Sequence, residues 1–118
     1  LLGGAVAIEL GVGFIAIRKT GALFPGEKAS ALTKPDYRGK QTTLLLQRAA
    51  VNAGDRILLV DDWIETGSQA LAVAHLIAEC GARLVGISVL VDQLSDAVRP
   101  SLPTVYSIVK AADLPPTE

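Results

Sequence analysis

Residues 56–70 read RILLVDDWIETGSQA, and their order of apolar and polar residues is the clearest indication of the fold class. Its first part, Arg56–Asp61, holds four apolar residues in succession, which is typical of a strand buried within a parallel sheet. Two adjacent carboxylates, Asp61 and Asp62, end that strand. A short loop then reaches Thr66–Ser68, where helical spacing begins. The stretch therefore predicts a buried strand that leads directly into a helix.

The next elements complete a strand–helix–strand unit. The helix is predicted over Ser68–Cys80 and is ended by Gly81, and a second buried strand follows over Arg83–Asp92. A third strand is expected over Thr104–Val109. Uninterrupted apolar strands joined through a helix pair in parallel through a right-handed crossover. The predicted fold class is therefore α/β, with a central parallel sheet flanked by helices.

The N-terminal half gives a weaker pattern of shorter elements. A helix is expected over Leu1–Leu10, and a short buried strand over Gly13–Lys19. Thr20–Gln41 is expected to be a long loop, with a frayed hairpin as the alternative, because Gly, Pro, Lys and Ser recur there without a period. Thr42–Ala50 fits a strand or a helix, with a strand favoured at its start. A turn is expected at 52–55.

Composition fits one domain, residues 1–118, with a sizeable core. The mass is 12.3 kDa, 50% of the residues are hydrophobic, and the net charge is −1 with a pI near 5.8. This balance excludes a globally basic nucleic-acid binder, and no apolar run approaches the roughly 18–20 residues of a membrane span. The single cysteine, Cys80, excludes an internal disulfide and a cysteine-built metal site. A cytoplasmic location without a signal peptide is expected.

Charge is spread unevenly along the chain. Between Arg18 and Arg48 there are seven basic residues against two acidic ones. From Arg56 onward there are four basic and eight acidic residues. A basic segment beside an acidic remainder can attract a small polyanion. A solvated loop explains the same pattern equally well.

The residues after the first buried strand are those of a sugar-phosphate site. Ligands of open parallel sheets bind beyond the carboxyl ends of the strands, and amides at a helix start, with Thr66, Ser68 and the permissive Gly67, can hold a phosphate. A larger side chain at Gly67 is expected to block that phosphate. Carboxylates do not bind phosphate, so Asp61 and Asp62 would take hydroxyls or a cation. The alternative is an acidic turn with ordinary Ser/Thr helix capping.

Three familiar motifs are excluded by their context. Gly11–Ala16 matches the dinucleotide fingerprint G-x-G-x-x-A, but it follows a helix and opens a strand, the reverse of what that fingerprint needs. Gly39–Thr42 lacks the first glycine of a P-loop and its adjacent Lys-Ser/Thr pair. A receiver domain would need an acceptor aspartate at the end of a later strand. Asp92 is too close in sequence for this, and Thr104–Val109 offers none.

Two segments resemble a known enzyme family. Leu58–Ala70, LLVDDWIETGSQA, resembles the signature of type I phosphoribosyltransferases, which bind 5-phosphoribosyl-1-pyrophosphate (PRPP). Glu9–Glu27 resembles the Arg-Lys-x-Gly-x-Leu-Pro-Gly segment of the adenine enzymes, with Phe24 inserted before Pro25. The resemblance covers nearly the whole chain and corresponds to about the C-terminal two-thirds of such an enzyme. It implies that a base-binding hood and a first strand precede Leu1.

The resemblance implies a role for each matching residue. Asp61 and Asp62 would take the ribose hydroxyls, directly or through water bound to Mg2+, the implied cofactor. The 5-phosphate would lie at Glu65–Gln69, and Lys28–Lys40 would be a mobile loop that closes over the reaction. The implied PRPP-binding residues are Arg18 and Lys19, near the pyrophosphate, together with Asp61, Asp62, Glu65, Thr66, Gly67, Ser68 and Gln69.

Two departures from the adenine enzymes concern the nucleobase. Where Glu65 stands, adenine enzymes usually carry a small residue, whereas 6-oxopurine enzymes carry an aspartate that is a proposed proton acceptor. The adenine enzymes also have a Glu-Tyr pair in the mobile loop, and Asp36-Tyr37 is the nearest match, beside an alignment gap. The implied catalytic residues are therefore Glu65 and Asp36, and the implied base is a purine.

The implied reaction joins a nucleobase to PRPP and releases a nucleoside monophosphate and pyrophosphate, as in purine salvage. The expected partners are these small molecules and a second copy of the chain in a homodimer, with no nucleic acid and no membrane. The alternative is a non-catalytic regulatory protein that senses PRPP or a nucleotide with the same fold. A third interpretation is that this chain alone is inactive.

Overall fold

The computed structural model describes residues 2–19, 28–35 and 38–115. These residues form two helices, six strands and three short 3-10 turns. In chain order the helices and strands are α1 (Leu2–Leu10), β1 (Ile17–Lys19), β2 (Lys28–Leu32), β3 (Thr43–Gln47), β4 (Arg56–Ile64), α2 (Ser68–Glu79), β5 (Arg83–Asp92) and β6 (Val105–Lys110).

The strands β4, β5 and β6 form the predicted parallel sheet. Its order is β4-β5-β6, and the pairing of β4 with β5 runs from Arg56 beside Arg83 to Ile64 beside Asp92. The helix α2 connects β4 to β5, and Leu76 and Ile77 on its inner face are fully buried. The α/β class and the strand–helix–strand unit are therefore confirmed.

The burial of this sheet differs from the prediction. On β4, β5 and β6 the side chains of Leu58, Leu90 and Ile108 are 36%, 40% and 77% exposed. An unbroken apolar run does not by itself show how many faces of a strand are covered, so the expectation of full burial for Arg56–Asp61 is wrong. The strand also continues through both carboxylates to Ile64. Asp61 and Asp62 therefore lie within β4 and not at its end.

A second sheet, antiparallel and of order β1-β3-β2, contains one strand, β2, from the segment predicted to be a long loop. Lys28–Leu32 pairs along its whole length with Thr43–Gln47, which lies beyond that segment, so the expectation of a loop is wrong for β2, whereas the strand at the start of Thr42–Ala50 is confirmed. The sequence KASAL alternates, with Ala29 buried, but alanine is a weak apolar signal. The strand predicted over Gly13–Lys19 is shorter, and Arg18 and Lys19 in it are exposed.

Both sheets pack against the helix α2. Leu44 and Leu46 of β3 join Leu76 and Ile77 of α2 in one buried cluster. Partly buried side chains of β4, such as Leu59, pack against the same cluster. The core therefore lies on both sides of this helix.

Thr33 closes the base of the loop between β2 and β3. Its amide donates to the carbonyl of Thr42 at 2.9 Å, and its hydroxyl accepts from the Thr42 amide at 2.9 Å. The side-chain amide of Gln41 donates to the Thr33 carbonyl at 3.1 Å. The expectation that all of Lys28–Lys40 is a mobile loop is therefore wrong for 28–33. The part of that expectation that falls on 36–37 lies outside the described residues.

We expect Thr33→Val to loosen this closure. The substitution keeps the shape of the side chain but removes the acceptor of the Thr42 amide, which is worth about 0.5–1.5 kcal/mol. Amide hydrogen exchange at Thr42 should become roughly threefold to tenfold faster. Ser30→Ala, an exposed change on β2 just before Thr33, is the control and should leave that rate unchanged. If the amides of Thr33 and Thr42 in the unmodified protein both exchange as fast as unprotected amides, the closure is contradicted.

Candidate active site

The loop between β4 and α2 carries the predicted phosphate site. The hydroxyl of Thr66 accepts from the Ser68 amide at 3.2 Å and donates to the Ser68 hydroxyl at 3.2 Å. The first helical bond runs from the Leu71 amide to the Gly67 carbonyl at 2.9 Å. The amides in the first turn of a helix have no carbonyl partner within that helix. They point away from the N-terminal end of the helix, where an anion can accept hydrogen bonds from them.

Gly67 makes the sharp turn into α2 in a left-handed conformation, with φ at +82°. A Cβ atom at this position would lie 3.2 Å from Leu94 Cδ2 and 3.4 Å from both Val98 Cγ2 and Leu102 Cδ1. The missing side chain therefore faces an apolar segment that follows β5. The expectation that a larger residue here would fill the phosphate site is wrong, because it would push into this packing instead.

The two adjacent carboxylates of β4 interact with each other. The Asp62 amide donates to Asp61 Oδ1 at 2.8 Å. Partial burial raises the pKa of Asp61 above its usual value, and the neighbouring carboxyl of Asp62 raises it further, whereas the Asp62 amide and the charge of Lys19 lower it. The opposing influence of Lys19 shows that β1 brings a cation close to these carboxylates.

A cleft of about 2070 Å³ brings most of the predicted site residues together. Its wall is built from α1, β1, β4 and the start of α2. Two lysines that flank the β2–β3 loop, Lys34 and Lys40, also line it. Of the predicted residues, those lining the cleft are Arg18, Lys19, Asp61, Glu65, Thr66, Gly67, Ser68 and Gln69.

One predicted residue, Asp62, is not brought to this cleft, and another, Asp36, is not described. Asp62 is exposed and is absent from the cleft lining, although it adjoins Asp61. Asp36 lies outside the described residues, so its catalytic role stays a prediction. Within 2–19, 28–35 and 38–115, no three His, Cys, Asp or Glu side chains form a group that could hold a metal ion. Asp61 and Asp62 alone remain as the predicted metal contacts.

The sequence interpretation missed Trp63 and Gln93. The indole Nε1 of Trp63 donates to Gln93 Oε1 at 2.8 Å, and both residues line the cleft. Strand alternation carried past Asp61 would have indicated Trp63, because Asp61, Trp63 and Glu65 alternate with the buried Ile64.

No helix in the described parts of the chain has the length and apolarity to cross a membrane.

The chain is similar to adenine phosphoribosyltransferases in sequence. It is 42% identical over 92 residues to the enzyme of Cereibacter sphaeroides and 45% identical over 92 residues to that of Dinoroseobacter shibae, in each case over 78% of this chain and 50% of the relative. The chain thus spans about half the length of these curated relatives.

The solved structures agree with the sequence relatives. Adenine phosphoribosyltransferase from Rhodothermus marinus superposes with a TM-score of 0.78 at 31% identity, and that from Thermoanaerobacter pseudethanolicus with 0.81 at 31%. Both comparisons cover 92% of this chain and 62% of the solved chain. The family description "phosphoribosyl transferase domain" matches residues 1–114, which confirms the resemblance, and the chain therefore belongs to the phosphoribosyl transferase family.

Proposed function

We propose that the protein transfers the 5-phosphoribosyl group of PRPP to a purine base, with adenine as the first candidate. The observation that carries this proposal is the cleft that joins Lys19 and Arg18, the carboxylate of Asp61 and the phosphate loop Glu65–Gln69. Adenine is favoured because the relatives at 42% and 45% identity bear the name of the adenine enzyme. Production of AMP and pyrophosphate is the expected outcome.

The phosphate loop supports binding of the 5-phosphate. The amides of the first turn of α2 and the hydroxyls of Thr66 and Ser68 are donors suited to a phosphate dianion. The positive end of the helix adds to this attraction. In this proposal the 5-phosphate fixes the ribose ring so that its reacting carbon lies near β4.

The charges around Asp61 support the chemical step. As the bond to pyrophosphate breaks, positive charge builds on the ribose ring, and the carboxylate of Asp61, which lines the cleft, stabilises it. Arg18 and Lys19 on β1 neutralise the leaving pyrophosphate. The close carboxyl pair, with its raised Asp61 pKa, fits Mg2+, which binds proteins through one or two carboxylates and the substrate's phosphates. Mg2+ would supply further neutralisation of the pyrophosphate charge.

Among the described residues, Glu65 is the carboxylate best placed to accept the proton that the base loses. It lines the cleft and is the first residue of the phosphate loop, so a base joined to the ribose would lie within reach of it. Asp36 is proposed as the second candidate, from the resemblance alone. The homodimer, the cytoplasmic location and a hood and first strand before Leu1 also stay predictions.

We expect Lys19→Met to raise the KM for PRPP about tenfold or more, because it removes a cation that contacts the pyrophosphate. The test incubates the protein with PRPP, Mg2+ and, in separate reactions, adenine, hypoxanthine, guanine, xanthine, uracil or orotate, and measures nucleotide and pyrophosphate. Lys28→Met removes the same charge from an exposed site outside the cleft and is the matched control. Absence of nucleotide with every base, together with undetectable PRPP binding by calorimetry, would refute the proposal. PRPP binding without transfer would favour the regulatory alternative.

A further inference from the structure

An ion pair with a buried carboxylate and a partly exposed arginine lies at the end of β5, away from the residues proposed to touch substrate. The Asp92 side chain is only 2% exposed, and its Oδ2 lies 2.8 Å from Arg99 Nη1. Its Oδ1 accepts from the Leu94 amide at 2.9 Å, and Arg99 Nη2 donates to the Leu94 carbonyl at 3.3 Å. We refer to Asp92 and Arg99, with the Leu94 backbone they hold, as the Asp92–Arg99 clasp.

The clasp gives the segment after β5 a single shape. Burial alone would raise the pKa of Asp92, but the hydrogen bonds from Arg99 and the Leu94 amide and the charges of Arg99 and Lys110 hold it below its usual value. The carboxylate is therefore ionised and engaged on both oxygens. As a result, the chain from 93 to 99 folds back on itself and Leu94 is turned inward, where only 8% of it is exposed.

Residues 93–102, which include the clasp, pack against the phosphate loop. Leu94 and Val98, with the following Leu102, are the side chains that a Cβ on Gly67 would meet, at 3.2–3.4 Å. At the other end of the loop, the Gln93 amide donates to the Ile64 carbonyl at 2.8 Å, and Trp63 donates to the Gln93 side chain. Residues 93–102 therefore contact the chain at Ile64, just before the phosphate loop, and at Gly67 within it.

We propose that the Asp92–Arg99 clasp positions the phosphate loop Glu65–Gln69 for binding of a 5-phosphate, which rests on the function proposed above. Recognition by backbone amides depends on their direction, and a rigid support behind Gly67 fixes that direction in advance. A planar guanidinium that binds the Asp92 carboxylate and the Leu94 carbonyl at once selects one geometry for this segment.

The decisive variant is Asp92→Asn, which keeps the size of the side chain and an oxygen for the Leu94 amide but loses the charge that orients Arg99. Arg99→Met, which keeps the apolar stem, is the second variant. Two controls accompany them. Asp96→Asn removes an exposed carboxylate that lies 3.7 Å from Arg99 Nε and leaves the bonds among Asp92, Arg99 and Leu94 in place. Ile77→Val weakens the shared core at a site that does not contact residues 93–102.

Two measurements are made on each variant of the full chain. The first is amide hydrogen exchange at 67–69 without ligand, and the second is the dissociation constant of ribose 5-phosphate by calorimetry. In Asp92→Asn we expect exchange to become about tenfold faster and ribose 5-phosphate to bind about tenfold more weakly. If transfer activity is present, the KM for PRPP should rise about tenfold while kcat stays within about threefold. Both controls should match the unmodified protein.

Each outcome decides the proposal. Unchanged exchange and affinity in Asp92→Asn would overturn it. So would equal changes in Ile77→Val, because the clasp would then contribute only to general stability. Should Arg99→Met fail to fold, Asp92→Asn still gives the answer. If the unmodified protein binds neither ribose 5-phosphate nor PRPP, the proposed function fails, while exchange at 67–69 still shows whether the clasp holds the loop.

Discussion

Glu65→Gln should lower kcat on the true purine substrate by ~10²–10⁴, the usual range for the loss of general acid–base help. The substitution keeps the size of the side chain and removes the group that accepts the proton of the base. The KM for PRPP should change little, because the phosphate loop binds mainly through backbone amides. Steady-state kinetics with purine and PRPP varied separately provide the measurement.

A second interpretation of Glu65 makes a different prediction. If its charge only favours the positive end of α2, its loss costs about 0.3–1 kcal/mol of stability and leaves turnover nearly normal. Melting temperatures measured beside the kinetics distinguish the two interpretations. Glu79→Gln, an exposed change near the other end of the same helix, is the control for the loss of one charge. Normal turnover in Glu65→Gln would leave Asp36 as the remaining candidate.

Gly67→Val should destabilise the fold by about 2–5 kcal/mol. A left-handed backbone costs a residue with a side chain about 1–2 kcal/mol, and the added atoms would press on Leu94, Val98 and Leu102, at an overpacking cost of about 1–3 kcal/mol. Chemical denaturation followed by far-UV circular dichroism gives the free energy of unfolding.

Gly54→Val separates the two contributions to this loss. Gly54 has a φ of +86°, and a Cβ built on it meets nothing within 4 Å, so only the backbone cost applies there. Gly67→Val should therefore exceed it by the overpacking cost. Equal losses at the two glycines would show that the residues packed around Gly67 can move aside without penalty.

The parallel half of the fold could be predicted because its signals are local. The bounds of β5 agree with the structure, since a long apolar run is bracketed by Arg83 and Asp92. The start of α2 was also predicted, from the Thr-Gly-Ser sequence. The strand β2 was missed because its inward positions are the small residues Ala29 and Ala31, which give no clear apolar period.

The candidate site was predictable as a set of residues but not in its geometry. The resemblance named the residues of the phosphate loop, and strand order implied that Asp61 lies near them. Nothing in the sequence near Gly67 indicates that its missing side chain faces Leu94, which lies far along the chain. The ion pair of Asp92 could not be predicted either, because its partner Arg99 lies in a segment that carries no motif.

The division of the strands into two sheets has a consequence for how the protein opens. Arg18 and Lys19 belong to the antiparallel sheet, whereas Asp61 and the phosphate loop belong to or adjoin the parallel one. Hydrophobic packing on α2 joins the two, whereas the described residues form no ladder of backbone hydrogen bonds between them. Each sheet can therefore behave as a separate cooperative unit in local unfolding. A ligand held by both walls of the cleft would link these units thermodynamically, so that occupancy makes the two sheets open together.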